Sequence, residues 1–442
     1  MSFIFSLINK SPMLSAVARK IARRFPRVKS AVLKMSYAAA LWQINPLAKG
    51  GKTYDKSLKT VILCVHDGSF TGAPVLGWNL AQGLSETHNV ICIMLHGGKL
   101  AADFMPFCVG FVVPMAGSIA DADPQAFANR ILRPIRSAFG LDYVVANSVE
   151  SEIAVSAAAI MDIPSLSLIH EFAEYTYPPR LIKVLNSADR VVFSSQLLAS
   201  SARGATGLVL PHALIAPQGK CLLPAHDNQQ HSSHLASLLA DHKDGETFLC
   251  IGCGHVQIRK GVDLFIAAAT QVLAKGVKAK FVWVGDGYDP ERDYFLSVWL
   301  KDQIQRGGHA EGITILPALS AADLNTLYER ADAMFLSSRL DPLPNVAIDA
   351  LSAGLPVVCF DNASGFSDYF QEDAMLQQLV VPYFDFIAAA ERIYEVAMSR
   401  ELRDNLSQSA RALAKRRFDM DAYVKLLLDC LEEVSTTPKN HQ

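Results

Sequence analysis

The stretch "SSRLDPLPNVAIDALSAGLPVVCF", residues 337–360, sets Asp341 in a loop that Pro342 and Pro344 keep extended. Asp349 follows on a helix-like run that starts near Asn345 and is stopped at Gly354 before an apolar strand. About one turn inside that helix, the Asp349 carboxylate can accept hydrogen bonds from vicinal hydroxyls such as those of a ribose. Asn345 and Val346 add free amides at the helix N-terminus. An acid near a helix start also serves the helix dipole with no ligand at all, so both readings stand at this point.

Two cations offer a second chemistry. Arg259 and Lys260, in "IGCGHVQIRKGVDLFI" (251–266), come after an apolar strand and directly before a helix, where a diphosphate would meet both charges and the helix amides. The plain alternative is a solvated surface pair. In "HDGSFTGAP" (66–74), Gly68 and Gly72 permit close backbone approach ahead of another helix start, a phosphate-loop arrangement or a simple strand-to-helix turn. The loop has neither the lysine-serine ending of a P-loop nor G-x-G-x-x-G, which argues against an NAD-dependent dehydrogenase. His170 ends the run "SLSLI", and Asn147 and Glu171 also stand at strand ends. Asp121 and Asp123, in "SIADADPQAF", read as the capped start of a helix and not as a metal site. The pair Cys250 and Cys253 lacks a second pair or a histidine cluster, so no zinc or redox centre is expected.

These residues need strands and helices to aim them, and the pattern supplies both. From residue 58, buried strands ("TVILCV", "NVICIML", "DYVVAN", "PSLSLI", "RVVFSS") alternate with helices such as "APVLGWNLAQGLSE". A polar, histidine-bearing stretch interrupts the order, and the alternation restarts at "TFLCIG". The expected fold class is therefore α/β, two Rossmann-like, doubly wound parallel-sheet domains facing across a cleft, with ligands at the carboxyl ends of the strands. The divisions are 1–57, 58–215, 216–246 as linker or insertion, 247–415, and a last helical segment, 416–442, whose apolar stripe of Leu426, Leu427, Cys430 and Leu431 suits packing back onto the first domain.

A chain of 442 residues, 50% hydrophobic with a net charge of −2, can bury two cores and is not built as a nucleic-acid binder. Charge is unevenly spread. No acid precedes Asp55, while Lys10, Arg19, Lys20, Arg23, Arg24, Arg27, Lys29 and Lys34 alternate with apolar residues. This basic amphipathic N-terminal extension, interrupted at Pro26 and followed by Trp42, suits the surface of an anionic membrane, and a disordered arm or a transit peptide shares its composition. The expected location is cytoplasmic, peripheral on the inner membrane face.

Over residues 58–430 the chain resembles the family 4 retaining glycosyltransferases of the GT-B fold (glycosyltransferases group 1). The likeness is carried by Arg259-Lys260 before "GVDLFI", the turn "FVWVGDGYD", and "SSRLDPLPNVAIDALSAGLPVVCFDNASGFSDYF". That family has glutamates where Asp341 and Asp349 stand here, at the same spacing.

The resemblance implies a hexosyl-type transfer from a nucleotide-diphosphate sugar to a saccharide or lipid-linked saccharide, with no cofactor and no metal. Arg259, Lys260, the Gly72 amide and the Asn345 and Val346 amides would hold the diphosphate, Asp349 the ribose and Asp341 the donor sugar. His170 would stand near the transferred sugar, with Asn147 and Glu171 on the acceptor side. Catalytic weight thus falls on His170, Asp341, Arg259 and Lys260, because cations at the leaving phosphate lower the barrier. Retention by front-face attack is implied by the family alone. The shorter aspartates raise a second reading, a GT-B protein that binds nucleotide sugar without turnover.

Overall fold

The computed structural model describes residues 47–436 apart from 115–116, 211, 225–232 and 242–246. The basic segment 12–35 and Trp42 lie outside the described residues. The first sheet comprises β1 (Ala48–Lys49), β2 (Thr60–Val65), β3 (Asn89–Met94), β4 (Gly110–Val112), β5 (Tyr143–Asn147), β6 (Ser165–Ile169), β7 (Arg190–Phe193) and β8 (Ala213–Ile215). Their order is β1-β4-β3-β2-β5-β6-β7-β8, parallel except for β1 against β4. Strand β1 precedes the residue-58 boundary read from the alternation. Two residues carry no periodicity, and β1 is held instead by pairing with β4.

The second sheet comprises β9 (Phe248–Cys253), β10 (Ala279–Val284), β11 (Ile313–Leu316), β12 (Ala333–Leu336), β13 (Val357–Phe360) and β14 (Val380–Val381), in the order β11-β10-β9-β12-β13-β14, all parallel. Its central strands are apolar runs buried on both faces, as helices packed on both sides of a parallel sheet require. Helix Ser233–Asp241 falls in the stretch read as linker, yet Leu235 is buried in the core of the second domain.

Each sheet reverses its winding once, and the reversals locate the site. In the first sheet the reversal lies between β2 and β5, whose ends carry the 66–74 loop and Asn147. In the second it lies between β9 and β12, followed by Arg259-Lys260 and by Asp341.

Two passes of chain join the domains, and they touch. The Lys220 amide donates to Phe418 O at 2.8 Å, and a Cβ on Gly219 would meet Met420 Cα at 2.3 Å, so only glycine fits there. The last helix, Met420–Thr436, buries Tyr423, Val424, Leu427, Cys430 and Leu431 in the core of the first domain, while Leu426 is only partly buried. Lys59–Glu432 and Arg190–Glu433 ion pairs flank the seam. Tyr369 Oη donates to Ser194 O at 2.5 Å, and Asp368 accepts from the Leu197 amide at 2.9 Å, closing the domain contact beside the cleft.

Candidate active site

Between the carboxyl edges of the sheets lies a cavity of about 450 Å³, lined by both domains and by Gln218 and Cys221 of the connecting chain. Two helices aim their N-termini into it. Helix Gly72–Leu84 starts after Thr71 and helix Asn345–Ala353 after Pro344, and neither start has a side-chain cap. The Gly72, Ala73, Asn345 and Val346 amides at these starts are therefore left for a ligand, whereas Pro74 has no N–H and the Ala347 amide donates to Pro344 O at 3.0 Å. The two starts are close, since a Cβ on Gly72 would stand 4.0 Å from Asn345 Nδ2. Gln218 Nε2 bonds Leu343 O at 2.8 Å and Asn345 Oδ1 at 3.3 Å, holding the loop that leads into the second helix.

Beyond β9, residues Ile258–Lys260 form a 3-10 turn closed by Gly261 at φ 71°, where a Cβ would meet Ser337 O at 1.9 Å. The turn delivers Arg259 and Lys260 to the cavity. Both are already paired with Asp341. Its Oδ1 accepts from Arg259 Nη1 at 3.0 Å, its Oδ2 from Lys260 Nζ, and Ser338 Oγ adds a third bond at 3.2 Å. Burial alone would push this carboxyl up, but Lys260 and then Arg259 outweigh it and hold it below the usual carboxylate range. Asp341 thus lines the cavity, where the resemblance puts the donor sugar, with its carboxylate held by both cations. A buried carboxylate requires partners, and the nearest are the two cations.

Asp349 differs. It has no hydrogen-bond partner among the described residues, and burial pushes its carboxyl up to about 6, with Lys220 the opposing influence. It lines the cavity together with Asn345 and Val346. Its neighbour Cys221 is buried and kept protonated by that burial.

On the opposite wall, His170 Nε2 lies 2.8 Å from Asn147 Oδ1. Burial, with His66 adding to it, lowers the His170 ring to about 4, so the ring is neutral at physiological pH. Asn147, an acceptor-side candidate from the sequence, does not itself line the cavity. It is fully buried, and its Nδ2 is spent on Ala73 O at 2.6 Å. Glu171 lines the cavity, but its oxygens accept from Ser148 Oγ at 2.5 Å, the Val149 amide at 3.2 Å and the His170 amide at 3.1 Å. It braces a strand end whose Ser148 sits at φ 91°, a conformation that needs support in a residue other than glycine.

Outside the cavity, Asp123 caps helix Pro124–Phe127 through the Ala126 amide, and Asp121 pairs with Arg180. Among the described residues no group of three His, Cys, Asp or Glu is arranged to hold a metal ion. Two contributors escaped the sequence reading. Gln218 sits in "IAPQGK", which reads as linker, and the Tyr175 ring lies 6.0 Å from the Arg259 guanidinium. The aromatic run "EFAEYTY" directly after His170 was the available signal for Tyr175.

Comparison with known proteins follows the same lines. Alpha-D-kanosaminyltransferase of Streptomyces kanamyceticus is 24% identical over 169 residues, 38% of this chain and 41% of that protein. D-inositol 3-phosphate glycosyltransferase of Segniliparus rotundus is 30% identical over 109 residues, 24% of this chain and 23% of that protein. The chain therefore spans about two fifths of the first relative and about a quarter of the second. The Anabaena protein HepE in complex with UDP shares the fold at a TM-score of 0.69 and 18% identity, over 85% of this chain and 100% of that one. Residues 240–413, which hold the second sheet and the helices packed on it, match the family described as glycosyl transferases group 1, on a two-domain framework that is the GT-B fold.

Proposed function

We propose that the chain is a metal-independent, retaining glycosyltransferase that moves a sugar from a nucleotide-diphosphate sugar to a saccharide or lipid-linked saccharide. The carrying observation is the meeting, in one cavity, of Arg259, Lys260 and two uncapped helix N-termini. With Asp341 in place the side-chain triad has a net charge of about +1, and the helix amides add partial positive charge. That arrangement complements a dianionic diphosphate and gains strength as further negative charge develops on the leaving phosphate. The metal independence in this reading rests on these cations and helix amides.

Asp349 is the ribose ligand in this reading, and His170, Glu171 and Tyr175 form the opposite wall, where the sugar and acceptor meet. Glu171 is committed to three donors, and in this reading the acceptor proton passes to the leaving phosphate, as the family resemblance implies. The match of residues 240–413 and the nucleotide-bound relative support the donor assignment. Calorimetric titration with UDP, GDP and NAD, followed by turnover with the sugar nucleotides of the bound base, tests it. Binding of NAD alone would overturn the reading, and binding without turnover would leave a nucleotide-sugar receptor.

The lipid-linked class of acceptor rests on the basic segment 12–35. Each cation near an anionic surface contributes on the order of 1 kcal/mol, screened by salt. Vesicle sedimentation should show binding that needs anionic lipid, falls with salt and is lost when residues 1–56 are removed. Undiminished binding of the shortened chain would refute this assignment. Among the described residues no helix is long and apolar enough to cross a membrane.

A further inference from the structure

The wall opposite the cations contains a hydrogen-bond arrangement that fixes the state of one ring. Asn147 Nδ2 donates to Ala73 O at 2.6 Å, which turns Oδ1 toward His170 Nε2 at 2.8 Å. The reversed amide would set two oxygens against each other at Ala73. An amide oxygen only accepts, so the ring nitrogen facing it carries the hydrogen. Nδ1 is then a bare lone pair, with no hydrogen-bond partner among the described residues, on a ring that lines the cavity.

The surroundings are built for this contact. Helix Gly72–Leu84 comes close enough for Ala73 O to reach Asn147 because Gly77 has no side chain. A Cβ there would meet Val65 Cγ1 at 2.5 Å and Asn147 Nδ2 at 3.0 Å. The titratable groups beside the ring do not compete for Nε2. His66, from the end of β2, acts on the ring through charge, and Glu171 spends its oxygens on Ser148, Val149 and the His170 amide. An aspartate in place of Asn147 would attract a second proton to the ring, whereas an amide does not.

We infer that Asn147 is a positioning residue that locks the His170 hydrogen on Nε2, so that His170 meets a hydroxyl in the cleft as a hydrogen-bond acceptor through Nδ1. The identity of that hydroxyl, on donor sugar or acceptor, rests on the sugar-transfer reading. The same buried amide ties the ring to the helix start that presents Gly72, so the sugar side and the phosphate side of the cavity share one support.

The test is a histidine 15N spectrum of the full chain at neutral pH, with the His170 signals assigned by their loss in His170→Gln. Nε2 should appear protonated and Nδ1 unprotonated. In Asn147→Ala the two signals should shift toward exchange-averaged values, and turnover should fall roughly tenfold, with little further loss when the change is added to His170→Gln. A hydrogen on Nδ1 in the unaltered chain would overturn the inference, as would fully additive losses in the double variant. The spectrum of the unaltered chain decides the tautomer even if Asn147→Ala fails to fold. Absence of turnover in the unaltered chain counts against the sugar-transfer reading and leaves the tautomer result standing.

Discussion

Asp349 makes donor affinity depend on pH in a calculable way. Its folded-state pKa is about 6, raised by burial, and in the proposed site only the ionised carboxylate accepts both ribose hydroxyls. At pH 8 nearly all of it is ionised, and at pH 5 about one molecule in eleven is, so affinity for a nucleotide sugar should fall roughly tenfold, or about 1.4 kcal/mol, between those values. The probe must be an intact nucleotide sugar, because the terminal phosphate of a free nucleoside diphosphate titrates in the same range. Calorimetry in buffers of different ionisation enthalpy should also detect proton release on binding near pH 6.

Stability carries the opposite sign. A carboxyl whose folded pKa exceeds its unfolded value stabilises the fold below about pH 4, and that contribution is lost as pH rises through 6. Asp349→Asn should therefore raise the melting temperature at pH 8, by at most roughly 3 kcal/mol of stability, while weakening donor binding and flattening its pH profile. Donor affinity that stays constant from pH 5 to 8, or a pH dependence that survives in Asp349→Asn, would refute the assignment.

Arg259→Ala with Lys260→Ala should reduce transfer roughly a thousandfold or more, and it should also destabilise the fold by a few kcal/mol because Asp341 is left buried without its cations. Adding Asp341→Asn should restore the melting temperature and not the activity; a double variant as stable as the unaltered chain would contradict the ion-pair geometry. Leu431→Ala, fully buried where the last helix meets the first domain, should cost about 2–5 kcal/mol in chemical denaturation, and a cost below 1 kcal/mol would show that the seam is loose.

What could be read from the chain beforehand follows physical lines. Strands such as "TVILCV" and "FLCIGC" are buried on both faces and announce themselves as continuous apolar runs, so both sheets were legible. Arg259 and Lys260 stood out because charge is rare between an apolar strand and a helix. The partner of Asp341 was not legible. The direction of a loop carboxylate is decided by groups some 80 residues away in sequence, and no local pattern encodes it. The strand-end position of Asn147 was legible, but its burial and the direction of its amide were not, because both depend on a close approach that Gly77 permits. Helix Ser233–Asp241 lies within a stretch whose flanks are polar, although Leu235, Leu238 and Leu239 stand at helical spacing and pack on the core of the second domain.

The return of helix Met420–Thr436 to the first domain has a consequence for biosynthesis. A chain leaving the ribosome exposes its N-terminal portion first, and in most two-domain proteins that portion can complete its core while the rest is still being made. Here the first sheet waits for Tyr423, Val424, Leu427 and Leu431, which are translated after the whole of the second domain. The second domain holds all its own core residues by the time Phe418 emerges, so it is the part able to finish during translation. Until then the side of helix Gly72–Leu84 around Gly83, which Val424 packs against, and the part of β6 that the last helix covers remain open, and the nascent chain presents an apolar surface that the finished molecule never shows.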